Sequence, residues 1–257
     1  MWELLHFAAR WIAALFAVGA WIFVGIVCVS KSARRTLWEG LGLCSHKALP
    51  KKVSRPRNLS DYGKKQYWDK RYEESKQPYE WYSIMWSEKG EVVSEFRRRF
   101  RKRDAILELG CGTSTWGEMA RRAGFSRICN VDFSPEVILH MSKVFPESVY
   151  RNEDLQNLSF KACSFNHAFD KGTIDGLLGN ESNKDVNRAK RVVRELARIV
   201  EPGGFWINVG VSKPESRARQ WERWWKRVET TRIPVKLEGH LGGAVNVYMN
   251  VYQRLST

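Results

Sequence analysis

The sequence predicts an α/β fold: a seven-stranded, mostly parallel sheet with helices on both faces, closed by an antiparallel hairpin. Three observations carry that prediction. Between residues 105 and 211, short apolar runs alternate with stretches of helical period. The first of those runs ends in a glycine-rich bend that opens a helix. After residue 211 the alternation stops, and two further apolar runs flank Gly242-Gly243, the pattern of a hairpin. Strands separated by helices need crossover connections, so they pair in parallel and are covered on both faces.

Taken in order, residues 60–75 read as a polar helix with Tyr67, Trp68 and Tyr72 at helical spacing, capped by Ser60 or Asp61. A second aromatic cluster, PYEWYSIMW, spans 78–86. A helix continues to about residue 100 and closes in the basic run Arg97–Arg103. Strands are expected at 105–110, 127–132, 148–154, 164–172 and 205–211, and helices at 114–124, 135–145 and 185–200. Gly124 closes the first of these helices and Pro135 opens the second at its first turn. The third carries an apolar stripe of Val192, Val193, Leu196, Ile199 and Val200, and Pro202-Gly203-Gly204 reads as its stop. The Trp-rich segment 216–228 reads as a helix, and the closing strands are expected at 232–238 and 244–255.

The apolar fraction, 43%, is enough for a buried core and excludes a disordered chain. The formal net charge of +15 concerns surfaces and partners rather than fold. The cysteines, Cys28, Cys44, Cys111, Cys129 and Cys163, have no metal-ligand spacing, so a zinc site or disulfide framework is not expected. Residues 11–29 carry no charge and are long enough to span a bilayer as one helix. Lys and Arg dominate the flank that follows, which puts the remaining chain on the cytosolic side. A cleaved signal peptide needs its charge before the apolar run, and a mitochondrial transit peptide needs an Arg- and Ser-rich amphipathic segment. The expected organisation is therefore a single-pass anchor at 1–30, a basic linker at 31–57 able to meet anionic lipid, and one domain at 58–257. Which membrane is entered, a mitochondrial one included, is open.

The chemistry is expected at Leu107-Glu108-Leu109-Gly110-Cys111-Gly112-Thr113, between the first strand and its helix. Glycines there let a ligand approach the backbone, and open α/β sheets bind ligands beyond the carboxyl ends of their strands. Asp132 ends the second strand 20 residues after Gly112, where a carboxylate accepts from ribose hydroxyls. The third glycine of a dinucleotide fingerprint is replaced by Thr115, which weakens a pyrophosphate reading. Glu108, two places before the first glycine, instead suits a cationic nucleoside such as S-adenosylmethionine.

On these residues the sequence resembles the class I methyltransferases with a Rossmann-like domain, and more narrowly the methyltransferase-like protein-lysine methyltransferases of the elongation factor one alpha and citrate synthase type. The matching pieces are Tyr67-Trp68-Asp69-Lys70-Arg71-Tyr72, Trp81-Tyr82, LELGCGTS at 107–114, NVDFSP at 130–135 and FDKGTIDGLL at 169–178. The resemblance implies S-adenosylmethionine as cofactor, with Gly110 on its backbone path. Asp132 is expected on the ribose, Phe133 against the adenine, and Asp154 with Leu155 at the adenine edge. Trp68, Tyr72 and Trp81 are expected over the methionine end, with Lys171 at the floor. For a lysine acceptor, Asp170 or Asp175 is a candidate to orient the amine or take its proton, and each is also the kind of carboxylate that caps helices and strand ends. The basic segments leave an acidic protein substrate, a nucleic acid and a lipid-facing or solvated surface open as partners. No base-methylation motif follows the fourth strand, which disfavours nucleic acid. A lipid or small-molecule acceptor, or a tethered cofactor-binding scaffold without turnover, completes the alternatives.

Overall fold

The computed structural model describes Pro56 and residues 58–75, 79–82, 90–179, 182–211, 221–236 and 244–256, all within the unit His46–Thr257. The expected anchor at 11–29 and nearly all of the basic linker lie outside the described residues. Among the described residues, no helix is long and apolar enough to cross a membrane.

The chain enters through a 3-10 turn, Leu59–Gly63, and α1, Lys65–Glu74. Then come α2 (Glu91–Arg99), β1 (Ile106–Leu109), α3 (Trp116–Arg122), β2 (Ile128–Asp132), α4 (Pro135–Val144) and β3 (Val149–Asn152). The second half holds β4 (Phe165–Lys171), α5 (Thr173–Leu178), α6 (Asn183–Ile199), β5 (Val200–Gly210), β6 (Trp225–Lys236) and β7 (Ala244–Arg254). The seven strands lie in the order β3-β2-β1-β4-β5-β7-β6. The first five are parallel, and β7 is antiparallel to both β5 and β6. The order reverses at β1, which has β2 on one side and β4 on the other, so a crevice opens beyond their carboxyl ends.

Alternation along the strands feeds two cores. Leu107, Leu109, Val131 and Ala168 pack with the α6 stripe of Val192, Val193, Leu196 and Ile199. Ile106, Ile128, Phe169 and Ile207 pack with Phe96 of α2 and Trp116 of α3. At about 25 cal/mol per Å² of apolar area removed from water, these two layers are the main term holding the sheet.

Four expectations are corrected. The helix over 60–75 is broken at Lys64, where the backbone is extended. The short helix α5 was not foreseen, because its six residues include Gly176 and carry too little periodicity. Pro202-Gly203-Gly204 is not a stop before the strand but part of β5. Pairing begins at Phe165↔Val200 and then shifts to His167↔Phe205, and Gly203 (φ +81°) absorbs the extra residues. The segment 216–228 is not a helix throughout, since β6 begins at Trp225 rather than 232. Trp221 and Trp225, four residues apart, mimic a helical stripe. In fact both rings pack on Trp206 of β5, which itself stacks on Tyr252 of β7. The Trp225 indole donates to the Val193 carbonyl at 3.2 Å, so the pair is fixed by tertiary contacts that periodicity does not show.

Candidate active site

A cavity of about 450 Å³ lies beyond the carboxyl ends of β1, β2 and β4, within the usual range for small-ligand sites. Its floor is built from strand ends. Leaving β1, the backbone turns through Gly110 (φ +58°) and Gly112 (φ +51°). A Cβ on Gly110 would lie 2.5 Å from Thr173 Oγ1, and one on Gly112 2.8 Å from the Tyr72 hydroxyl, so only glycine fits either position. Asp132, the last residue of β2, closes the floor. Its carboxylate accepts from the Gly112 N–H and from the Ser134 N–H, each at 3.0 Å. Burial pushes its pKa up to about 6, although those backbone donors hold it down.

Glu108 and Lys171 supply charge beneath the same bend. Glu108 is 3% exposed, and its Oε2 has no hydrogen-bond partner among the described residues. Burial raises its pKa well above the usual carboxylate range, against the pull of Lys171. Lys171, at the end of β4, is paired with Glu80 and donates to Ser114 Oγ at 3.3 Å. At the far edge, Asp154 accepts from the Gln156 N–H at 2.9 Å, and Phe133 and Leu155 line the wall beside it.

The roof comes from α1 and residues 79–82. Trp68 stacks on Tyr72 at 5.8 Å between centroids, and Trp81 meets Tyr62 and Tyr79 edge-on. The Tyr79 N–H donates to Thr113 Oγ1 at 3.1 Å. The Glu80 carboxylate accepts from Ser114 Oγ and Thr115 Oγ1, each at 3.1 Å, as well as from Lys171. The roof segment is thereby tied to the glycine bend.

The structure brings Trp68, Tyr72, Trp81, Glu108, Gly110, Gly112, Asp132, Phe133, Asp154, Leu155 and Lys171 into one cavity lining. Asp170 and Asp175 are not in that lining. Asp170 is fully buried inside the sheet, and both of its oxygens accept from Asn208 Nδ2 at 2.9 Å. Asp175 accepts from the Val211 N–H at 2.8 Å and from the Tyr82 hydroxyl at 3.5 Å. Sequence reasoning missed Arg71, Tyr79 and Glu80. Arg71 had a signal, being three residues after Trp68 and therefore on its face of α1. Glu80 had only its place between Tyr79 and Trp81.

The donor set fits a nucleoside with a cationic tail. It offers a buried carboxylate at the end of β2, a second buried carboxyl beneath the glycine bend, and aromatic walls. Comparison with known proteins agrees. The profile of the family described as "Methyltransferase domain" matches residues 107–208. EEF1A lysine methyltransferase 4 of Mus musculus is 30% identical over 177 residues, which cover 65% of this chain and 68% of that protein. eEF1A lysine and N-terminal methyltransferase of Homo sapiens is 26% identical over 163 residues, 62% of this chain but only 23% of that longer protein. Among solved structures, a Haloferax volcanii methyltransferase in complex with its activator Trm112 superposes with a TM-score of 0.52 at 14% identity. It covers 78% of this chain and 99% of that one, a likeness of fold alone. The chain belongs to the class I S-adenosylmethionine-dependent methyltransferases. Within that class it is similar to the eEF1A lysine methyltransferases.

Proposed function

We propose that this chain methylates the side-chain amine of a lysine in a protein substrate, using S-adenosylmethionine, while anchored to a membrane through residues 11–29. The observation that carries the lysine reading is an aromatic mouth made by Trp81 and Tyr82, whose rings are tilted 54° to one another with centroids 6.4 Å apart. A Cβ on Gly172, next to Lys171, would meet Trp81 Cγ and Tyr82 Cε2, each at 4.0 Å. The similarity to lysine methyltransferases supports the same acceptor.

S-adenosylmethionine, when bound, supplies a methyl group already activated by its sulfonium. The residues align and desolvate. Asp132 would take the ribose hydroxyls, Phe133, Asp154 and Leu155 the adenine, and Gly110 and Gly112 would let the tail pass close to the backbone. Trp68, Tyr72 and Trp81 would cover the methionine end, and Glu108 would stand on the side of its ammonium. An acceptor lysine must be neutral to attack. At an ordinary pKa of about 10.4, that costs roughly 4 kcal/mol near pH 7.4. Trp81 and Tyr82 exclude water around the amine, which disfavours its charged form and lowers that cost. The same faces hold a methylated ammonium by cation–π contact. Asp175 holds the Tyr82 hydroxyl and so the edge of the mouth, and Asp170 fixes the strand that presents Lys171.

The test is quantitative lysine-methylation mass spectrometry of cells with and without the chain, repeated with Asp132→Ala. The reading expects one or more lysine sites to lose methylation in both cases. Tritium transfer from labelled cofactor into RNA or lipid, with none in protein, refutes the lysine acceptor. Cofactor binding with no transfer at all favours a scaffold. Anchoring is tested separately. Resistance of the full chain to alkaline carbonate extraction, lost on deletion of 1–30, supports it, and extraction of the full chain refutes it.

A further inference from the structure

The cavity lining contains a cation whose charge the described residues do not neutralise. Lys65, Lys171 and Arg188 also line the cavity, and each is paired with a carboxylate, Asp69, Glu80 and Asp185 respectively. Arg71 has none among the described residues. It is 7% exposed and has one hydrogen bond, to the Tyr67 hydroxyl at 3.4 Å. Its guanidinium lies over the Tyr79 ring at 5.0 Å and the Trp68 ring at 5.8 Å. The other acids of this region are taken, Asp61 by Lys64 and Glu74 by Lys70.

A buried charge resting on aromatic faces recovers only part of its lost hydration. A fork of N–H donors left over in a ligand cavity selects a planar, bidentate anion. The position narrows the choice. Tyr79, which Arg71 covers, is bonded to Thr113, and the next residue of α1, Tyr72, stands over Gly112. Arg71 therefore sits above the glycine bend, not out at the adenine edge. On the cofactor reading given above, the ligand carries one anionic group, its α-carboxylate. We infer that Arg71 binds that carboxylate and so makes the site selective for nucleosides with an intact amino-acid tail.

The experiment is a ligand-by-residue cycle, read by titration calorimetry on the full chain. S-adenosylhomocysteine and its decarboxylated analogue are each titrated into the unaltered protein, Arg71→Met and Arg71→Lys. The Met variant is expected to bind S-adenosylhomocysteine about 30-fold more weakly and the decarboxylated analogue within twofold of the unaltered chain, as loss of a charge-assisted pair implies. The Lys variant keeps the charge without the fork and recovers part of the loss. The Met variant without ligand keeps or raises its melting temperature, because an uncompensated buried charge has been removed. Equal losses for the two ligands, no loss for either, or a collapse of the unliganded fold overturns the assignment. Failure of the unaltered chain to bind either ligand overturns the cofactor reading itself, a separate outcome.

Discussion

The floor of the cavity is mostly backbone. Gly110 and Gly112 take conformations that side chains resist, and Asp132 is held by two N–H groups of its own loops. The roof is side chain. Tyr72, Arg71 and Trp81 are carried by α1 and residues 79–82, and Glu80 ties that segment to Lys171, Ser114 and Thr115. A backbone floor is fixed by the register of β1 against β2 and β4, so it forms with the sheet. The roof depends on charges and rings meeting across the cavity, so single substitutions there shift a balance between burial cost and pairing.

The largest effect is expected on the floor. On the proposed reading, Asp132→Ala removes the acceptor for two ribose hydroxyls, each worth about 1.5 kcal/mol or more as a bond to a charged group. Cofactor affinity measured by calorimetry should fall at least about 100-fold. Retention of full affinity would show that the sugar is held elsewhere, and the floor would lose its defined role.

A somewhat smaller effect is expected on the roof, and in stability as well as binding. Glu80→Gln removes the carboxylate charge that pairs with Lys171, whose side chain is 4% exposed. Breaking one side of a buried pair typically costs about 3 kcal/mol or more, less any share Glu108 takes over. A loss of about 2 kcal/mol lowers the melting temperature by roughly 4–8 °C for a domain of this size. Lys171→Met added to Glu80→Gln should recover most of that loss, because no unpaired charge remains. Additive losses in the double variant would mean that the two residues act separately and that Glu80 matters only through Ser114 and Thr115.

The same division explains what the sequence disclosed. The floor was legible because its requirements are local: glycines at the strand exit, then a carboxylate at the end of the next strand. The parallel pairing of the first five strands followed from the alternation of strands and helices. The roof was legible only in part. Trp68, Tyr72 and Trp81 were placed by resemblance, Arg71 lay at helical spacing from Trp68 and was passed over, and Glu80 matters through contacts with segments far away in the chain. The pairing of Glu80 with Lys171 joins residues 91 positions apart, and no periodicity announces it. Trp221 and Trp225 show the converse, a helical spacing overridden by packing on Trp206 and Tyr252. Asp170 was singled out, with Asp175, as a carboxylate of the FDKGTIDGLL match able to orient the amine or take its proton. Neighbours on a strand point to opposite faces, and Asp170 turns into the sheet toward Asn208.

The smallest effect is a pH dependence that sharpens the contrast, since it belongs to the floor alone. Asp132 has its pKa raised from 3.8 to about 6 by burial. A ribose needs the ionised carboxylate as acceptor, so S-adenosylhomocysteine affinity should be flat above pH 7 and about tenfold weaker at pH 5. Stability without ligand moves the other way. The folded carboxyl holds a proton that the unfolded one has released between pH 3.8 and about 6, so Asp132 makes the unliganded fold less stable as pH rises through that window. His167 opposes this trend, because burial lowers its pKa and the fold gains stability as the ring loses its proton. The difference between the unaltered chain and Asp132→Asn isolates the aspartate. The variant should bind more weakly at every pH, lose the affinity step between pH 5 and 7, and keep the His167 contribution to stability. An affinity step that survives in Asp132→Asn would assign the titration to another buried acid of the floor, Glu108 first, whose pKa burial also raises.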